Sequence, residues 1–361
     1  MTTGIVYHRA YLLHEQNPTH PERRERLAYT LDQLEEEGIW DLPEITRLLP
    51  YPAPEEAVLA VHIPEYVTFL KEASRGGGFI DFDTSVPRGL WDSAVLAAGG
   101  AMRAGDAVID GEVGNAFALV RPPGHHARMG TGAGFCYLNN MAIMVRHLQR
   151  RGIHRVMVLD WDAHHGDGTQ AVFYRDPTVL FCSIHQSPFY PGSGMIEETG
   201  SGEGRGYTVN MPVPAGTGDD AYAYLFREIV LPLAREFSPD FIAVSAGQDN
   251  HFTDPLTGLA LTARGYADLM ADTLQLAGEL CGGRLAAVLE GGYSVEGGLP
   301  YTNLGVIAAM AGFDLSGIRE PFALRELLDR AEDPLALKKV EDMVLSLKRT
   351  LAPFWETFRQ A

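Results

Sequence analysis

Residues 158–168, Val158-Leu159-Asp160-Trp161-Asp162-Ala163-His164-His165-Gly166-Asp167-Gly168, change character abruptly along their length. The apolar run Val156-Met157-Val158-Leu159 reads as a buried strand, and acids and imidazoles crowd the point where it ends. Alternation along a strand puts Asp160, Asp162 and His164 on one side. Two carboxylates and an imidazole gathered there repel and desolvate one another unless a cation lies among them. Oxygen and nitrogen donors without thiolate suit a catalytic Zn2+, or Fe2+, better than a closed structural site. Taken alone, the stretch also reads as a solvated polar turn.

Three further segments repeat the pattern of an apolar run ending in chemistry. Phe241-Ile-Ala-Val-Ser-Ala-Gly-Gln-Asp249 ends in an acid, so Asp162, His164 and Asp249 give a divalent ion three protein ligands. That set leaves room for water and a substrate oxygen, and its two carboxylates cancel the ion's formal charge. Phe117-Ala-Leu-Val-Arg121-Pro-Pro-Gly-His125-His126-Ala127 carries adjacent histidines after a tight turn. Neighbouring imidazoles are costly to charge together, so their pKa values should separate, as acid–base chemistry near neutral pH requires. Leu285-Ala-Ala-Val-Leu-Glu290-Gly-Gly-Tyr293 ends in glycines that permit close backbone approach, followed by a hydroxyl that can reach the same crevice. By itself that tyrosine reads equally well as a packed aromatic.

Together these segments resemble the histone deacetylase family, including bacterial histone deacetylase-like amidohydrolases, acetylpolyamine amidohydrolases and acetoin-utilisation-type proteins. The resemblance rests on RPPGHHA at 121–127, GFCYLNN at 134–140, DWDAHHGDGTQ at 160–170, SAGQD at 245–249, DPLTGL at 254–259 and LEGGY at 289–293. HPERRERL at 20–27 resembles the start of class II-like members. The resemblance implies an arginase/deacetylase-like fold and a set of roles. Asp162, His164 and Asp249 would bind zinc. His125 and His126 would be the tandem histidines, with Asp160 and Asp167 as their carboxylate partners, and Tyr293 would donate to the oxyanion. Phe135 and Tyr190 would wall the acyl tunnel, Gly134 and Leu256 would join them in binding substrate, Asp83 would grip the substrate backbone, and Arg26 would lie below the zinc near the exit of acetate. A structural K+ or Na+ would sit in the main chain around Asp160, Asp162, His164, Ser183 and Ile184, and a second around Phe173, Asp176, Val179 and Tyr207. Gln248 and Asn250 depart from the family's usual Phe and Ala beside the ligand aspartate. Position 256 is Leu, with no acid to recognise a substrate ammonium, which weakens a narrow polyamine reading.

Apolar strand candidates at 3–7, 116–121, 155–160, 178–184, 207–213, 241–246 and 284–289 alternate with helical stretches such as 21–37, 137–151, 219–237 and 262–280. The expectation is an α/β fold: one domain over 1–361, a mostly parallel central sheet with helices on both faces, and a site at the strand C-terminal ends. Residues 315–361 read as a helical extension of that domain, and Arg75–Trp91 as a long binding-rim loop.

The chain has 361 residues, 46 % of them apolar, enough for a sizeable core, and its net charge of −18 argues against nucleic acid as the main ligand. No long apolar run or signal-peptide pattern is present, which argues against a membrane. Cys136, Cys182 and Cys281 lie in apolar surroundings without CxxC spacing, as expected of thiols in the cytoplasm. The expected activity is removal of acetyl groups from amines, with an acetylated amine or acetyl-lysine as substrate and room for a homo-oligomer. A dedicated acetylpolyamine deacetylase, an arginase-type di-manganese ureohydrolase and a non-catalytic acyl-lysine binding protein compete with it.

Overall fold

Ten strands form in the computed structural model, which describes residues 2–17 and 19–359. They are β1 (Thr3–Val6), β2 (Ile45–Leu48), β3 (Gly78–Phe79), β4 (Ser85–Val86), β5 (Asn115–Ala118), β6 (Val156–Asp160), β7 (Val179–Gln186), β8 (Thr208–Val213), β9 (Phe241–Ala246) and β10 (Leu285–Leu289). Eight make one sheet in the order β2-β1-β5-β10-β9-β6-β7-β8, and every pairing in it is parallel. Strands β5, β6, β7, β9 and β10 are buried at every position. Helices cover both faces, so these strands read as continuous apolar runs without alternation.

One helical layer contains Leu90–Ile109 and Asn140–Arg150, which pack on each other; the other joins Glu25–Glu36, Ala263–Cys281 and Gly298–Ala311. Asn139 caps Asn140–Arg150 by accepting from the Ala142 N–H at 2.8 Å, and Thr262 caps Ala263–Cys281 by accepting from the Gly265 N–H at 3.0 Å. Near the C-terminus, Ala336–Leu351 buries Val340, Val344, Leu347 and Leu351 and packs on β8. Each such side chain contributes roughly 1.5–3 kcal/mol of burial.

The seven expected strands are present, with ends shifted by up to three residues. Strand β2 was not among them. Ile45-Thr46-Arg47-Leu48 lies on the sheet edge with only Leu48 buried, so no apolar run marks it. The helix expected at 21–37 starts at Glu25, and the preceding Glu22 is buried against Arg121. The stretch 219–237 is helical throughout but widens to a π-turn at Phe226–Val230, just before Pro232, whose ring cannot continue the regular ladder. The loop at 75–91 contains the small antiparallel β3–β4 hairpin.

The strands whose ends were rich in acids and histidines are neighbours in the sheet, although far apart in the chain. β5, β10, β9 and β6 are adjacent in that order. Their C-terminal ends therefore deliver residues 121–126, 290–293, 247–249 and 160–164 to one crevice.

Candidate active site

β6 ends at Asp160, so a turn and not strand alternation places the residues beyond it. The Asp162 N–H donates to Asp160 Oδ1 at 3.1 Å, the Ala163 N–H to Asp249 Oδ1 at 2.8 Å, and the His164 N–H to Asp162 Oδ1 at 2.8 Å. One ligand atom from each of Asp162, His164 and Asp249 lies within 4.8 Å of the others. Both carboxylates are fully buried. His164 Nδ1 sits 3.2 Å from Asp162 Oδ1 and 3.0 Å from Asp249 Oδ2. Burial pulls the His164 pKa down, but these two carboxylates outweigh it and push it up to about 10. The cluster thus demands a positive charge. The backbone makes space beside it: a Cβ at Gly247 would overlap Asp162 Oδ2, and one at Gly291 would overlap carboxylate oxygens of both Asp162 and Asp249. Two buried carboxylates and an imidazole around a glycine-walled cradle fit a divalent cation of the zinc or iron(II) type.

The tandem histidines lie on the turn after β5. Glu290 holds that turn by accepting from the Gly124 N–H at 2.7 Å and the His125 N–H at 3.1 Å. His125 Nδ1 is 3.2 Å from Asp160 Oδ2, and His126 Nδ1 is 2.7 Å from Asp167 Oδ1, so each ring has the carboxylate that the resemblance implied. Arg128 Nε donates to the other Asp167 oxygen at 2.8 Å. The two rings are 4.0 Å apart. Burial disfavours the charged form of His125, but Asp162 and Asp160 overcome it and hold the pKa well above the usual range. Burial and the neighbouring His125 charge depress His126 to about 4 against the pull of Asp167. The pair separates as the sequence suggested.

A cavity of about 250 Å3 opens onto His126 and His164. Phe135, Tyr190, Tyr293, Asp83, Gly134, Leu256 and Phe189 also line it. His126 and Tyr190 meet edge-on at 5.2 Å, as do Phe135 and Tyr293 at 5.8 Å. A passage walled by aromatic rings suits a slender apolar chain. The backbone N–H of Tyr293 donates to Asp254 Oδ2 at 2.7 Å. Burial pushes the Tyr293 hydroxyl pKa well up, so it stays protonated and able to donate.

Arg26, expected below the metal near the exit of acetate, is fully buried behind Tyr293 and does not line the cavity. Its guanidinium donates to Gly292 O at 2.7 Å, to Glu22 Oε1 at 3.1 Å and to Glu290 O. With protein acceptors on all three nitrogens, it supports the wall of the site.

The residues expected around monovalent cations are grouped by the sheet. Asp160 and Ser183 are register partners between β6 and β7, with Ile184 next to Ser183, and Ser183 Oγ lies 2.9 Å from His185 Nδ1. Phe173, Asp176, Val179 and Tyr207 cluster at the start of β7: the Asp176 N–H donates to Phe173 O and the Phe181 N–H to Tyr207 O, both at 2.9 Å. Gln248 and Asn250 lie beyond the end of β9, and both point to protein partners. Gln248 Nε2 donates to Asn303 Oδ1 at 3.2 Å, and Asn250 Oδ1 accepts from the Tyr266 hydroxyl at 2.8 Å.

Sequence reading missed Glu290, Phe189 and Arg128. Glu290 was within reach of the rule that found Asp249, since it is also an acid at the end of an apolar strand. Phe189 and Arg128 carry no comparable signal, because only the folded loops bring them to the cavity and to Asp167.

Residues 20–306 match the family described as histone deacetylase domain. The chain is 61 % identical to a "Probable deacetylase" of Archaeoglobus fulgidus over 99 % of its length and 100 % of the relative's. It is 40 % identical to a "Histone deacetylase-like amidohydrolase" of Pseudomonas aeruginosa, covering 80 % of this chain and 75 % of that one. It is also 40 % identical to the "Polyamine deacetylase HDAC10" of Homo sapiens, covering 82 % of this chain and 46 % of that one. The crystal structure of the HDA15 HD domain superposes with a TM-score of 0.87 at 32 % identity, over 99 % of this chain and 96 % of the other. By the family match and these identities, the chain belongs to the histone deacetylase family.

Proposed function

We propose that this protein is a metal-dependent amidohydrolase that removes acetyl and other short acyl groups from amines, including acetyl-lysine. The observation that carries the reading is the convergence of Asp162, His164 and Asp249 at a cavity that His164, His126 and Tyr293 line. Those three residues would hold the ion, Zn2+ or Fe2+. When bound, it would polarise the scissile carbonyl and acidify the attacking water.

The chain's own groups do the rest. Asp167 occupies Nδ1 of His126, which leaves Nε2 to exchange protons. The neutral ring takes a proton from the attacking water at Nε2 and returns it to the leaving nitrogen, so that acetate and free amine result. His125, kept protonated by Asp160 and Asp162, supplies fixed positive charge beside the reaction. The Tyr293 hydroxyl donates to the oxyanion, a contact typically worth about 3–4 kcal/mol. Phe135 and Tyr190 admit the acyl-amine chain and exclude bulk. The main chain around Asp160, Ser183 and Ile184, and around Phe173, Asp176, Val179 and Tyr207, would hold K+ or Na+ behind the strand ends.

The three free cysteines are buried, which suits the cytoplasm. Among the described residues no helix is long and apolar enough to cross a membrane. The test is hydrolysis of an acetyl-lysine peptide and of acetylated diamines, before and after chelation and re-addition of Zn2+ or Fe2+. No acetate release from any of them by the metal-loaded protein would overturn the reading.

A further inference from the structure

The segment that carries Tyr293 lies between two pairs of glycines, Gly291-Gly292 and Gly297-Gly298. Gly292 has a φ of 119°, which L side chains rarely adopt. Glycine leaves the backbone free to pivot at both ends of Tyr293-Ser294-Val295-Glu296, so side-chain contacts must fix where the tyrosine points. On one side, Arg26 donates to Gly292 O and lies behind the ring. On the other, the contacts come from residues 251–254, which follow the candidate ligand Asp249. Asp254 Oδ2 accepts from the Tyr293 N–H at 2.7 Å, and Asp254 Oδ1 accepts from the N–H of the cavity residue Leu256 at 2.9 Å.

Ser294 is tied by a longer chain of side chains. Its Oγ lies 2.7 Å from Thr253 Oγ1, which in turn lies 2.8 Å from His251 Nδ1. The Thr253 N–H also donates to Nδ1, at 3.3 Å, so that nitrogen is an acceptor and the ring proton sits on Nε2. This commits the Thr253 hydroxyl hydrogen to His251, and Ser294 donates to Thr253. His251 Nε2 then donates to Glu320 Oε1 at 3.1 Å. The His251 side chain is 1 % exposed and that of Glu320 9 %, so little water competes for these bonds. A Cβ on Gly298 would come within 2.5 Å of Thr253 Oγ1 and 2.6 Å of His251 Nδ1, so only glycine there lets the chain close.

Glu320 belongs to the C-terminal stretch beyond the family match at 20–306. That stretch is held in place by its own contacts. Ile318 packs with Ala263 and Ala308, and the Tyr301 hydroxyl donates to Arg319 O at 3.0 Å and accepts from the Arg319 N–H at 2.9 Å. Glu320 Oε1 also accepts from the Ala263 N–H at 2.7 Å.

Resting on the deacylase reading, we infer that Glu320 and His251 are positioning residues for Tyr293: through Thr253 and Ser294 they hold the glycine-flanked segment that presents its hydroxyl. Neither lines the cavity, and both act through the hydroxyl chain. The C-terminal extension thereby completes the active site.

The test is a double-mutant cycle on the metal-loaded full chain. Its substrate is an acetyl-lysine peptide or an N-acetylated diamine, whichever the wild type turns over faster. Glu320→Ala should lower kcat about tenfold with KM and metal content unchanged, since a misplaced oxyanion donor is felt in the transition state. Glu320→Gln keeps an acceptor for His251 and for the Ala263 N–H, and its kcat should stay within about twofold of wild type. In a Tyr293→Phe background, Glu320→Ala should change the residual kcat by less than about twofold, because the hydroxyl it positions is already gone. A merely structural role would lower kcat by the same factor in both backgrounds. Ser294→Ala removes only the last hydroxyl of the chain and should give the same pattern; it decides the matter if Glu320→Ala does not fold. Equal losses in the two backgrounds, or wild-type kcat in either folded variant, overturn the inference and leave deacylation intact. So does loss of the ion from either folded variant, since the contacts would then act on Asp249 and not on the tyrosine. No turnover by the wild type overturns the deacylase reading and this inference with it.

Discussion

The Arg26 guanidinium lies 5.0 Å from the centre of the Tyr293 ring, and both side chains are buried. The cation is fixed in turn by Glu22 and by the carbonyls of Gly292 and Glu290. Tyr293 is therefore packed from behind, with its hydroxyl left for the cavity. Tyr293→Phe should retain the ring, the stack and bound metal, and lower kcat by about 10²–10³. Steady-state kinetics with metal analysis of the same preparation checks this, and a variant keeping half of wild-type kcat would reduce the tyrosine to packing.

The metal cluster makes a stoichiometric prediction. Elemental analysis should find one divalent ion per chain, lost in Asp162→Asn, His164→Ala and Asp249→Asn, because two remaining donors cannot replace a missing carboxylate or imidazole. Two tightly bound transition-metal ions per chain would contradict it and favour the di-manganese ureohydrolase alternative.

A pH prediction comes from a site far from the metal. Asp106 accepts from Tyr51 Oη at 2.5 Å and from Arg151 Nη1 at 2.7 Å, and lies 2.7 Å from His147 Nε2. Partial burial raises its pKa, but His147, Tyr51 and Arg151 together hold it well below the usual carboxylate range. The folded pKa is below the unfolded value of about 3.9, so the ionised form contributes stability above about pH 4 and loses it as pH falls toward the folded value. Asp106→Asn should lower Tm at pH 7, with the difference from wild type shrinking as pH falls below about 4. Thermal melts at pH 3, 5 and 7 test the sign; a deficit that grows toward low pH would refute the assignment.

Fold and site were legible to different depths. Strands β6, β9, β10 and β5 announced themselves because burial on both faces demands unbroken apolar runs, and each ended in residues that burial would otherwise forbid. The geometry just past the strand ends was less legible. Extending alternation beyond Asp160 gave the right neighbours for the wrong reason, since hydrogen bonds to the Asp160, Asp162 and Asp249 carboxylates turn the chain there. Edge strand β2 has one buried residue and gave no pattern. What holds Arg26 was not legible in its local sequence. Its fully buried protein acceptors, two of them 264 and 266 residues away, exist only in the fold.

Gln248, which the sequence analysis singled out as a departure from the family pattern, sits one residue from the candidate ligand Asp249 and is 1 % exposed. Its Nε2 donates to Asn303 Oδ1, while its buried Oε1 has no hydrogen-bond partner among the described residues. An unpaired buried carbonyl costs about 1–3 kcal/mol, comparable to or greater than the ~1 kcal/mol that the Asn303 bond contributes. Gln248→Met keeps the shape, removes the unpaired oxygen and leaves Asn303 Oδ1 without this donor, so the two effects should nearly cancel. Metal content should be unchanged, kcat within about threefold, and Tm within a few degrees of wild type. Gln248→Phe adds volume against Gly292, where a Cβ would already come within 3.0 Å of Gln248 Cβ, and should cost about 1–3 kcal/mol by overpacking while retaining the ion. Loss of the metal from the Met variant would mean that Gln248 acts on the ion itself, a role its bond to Asn303 gives no sign of.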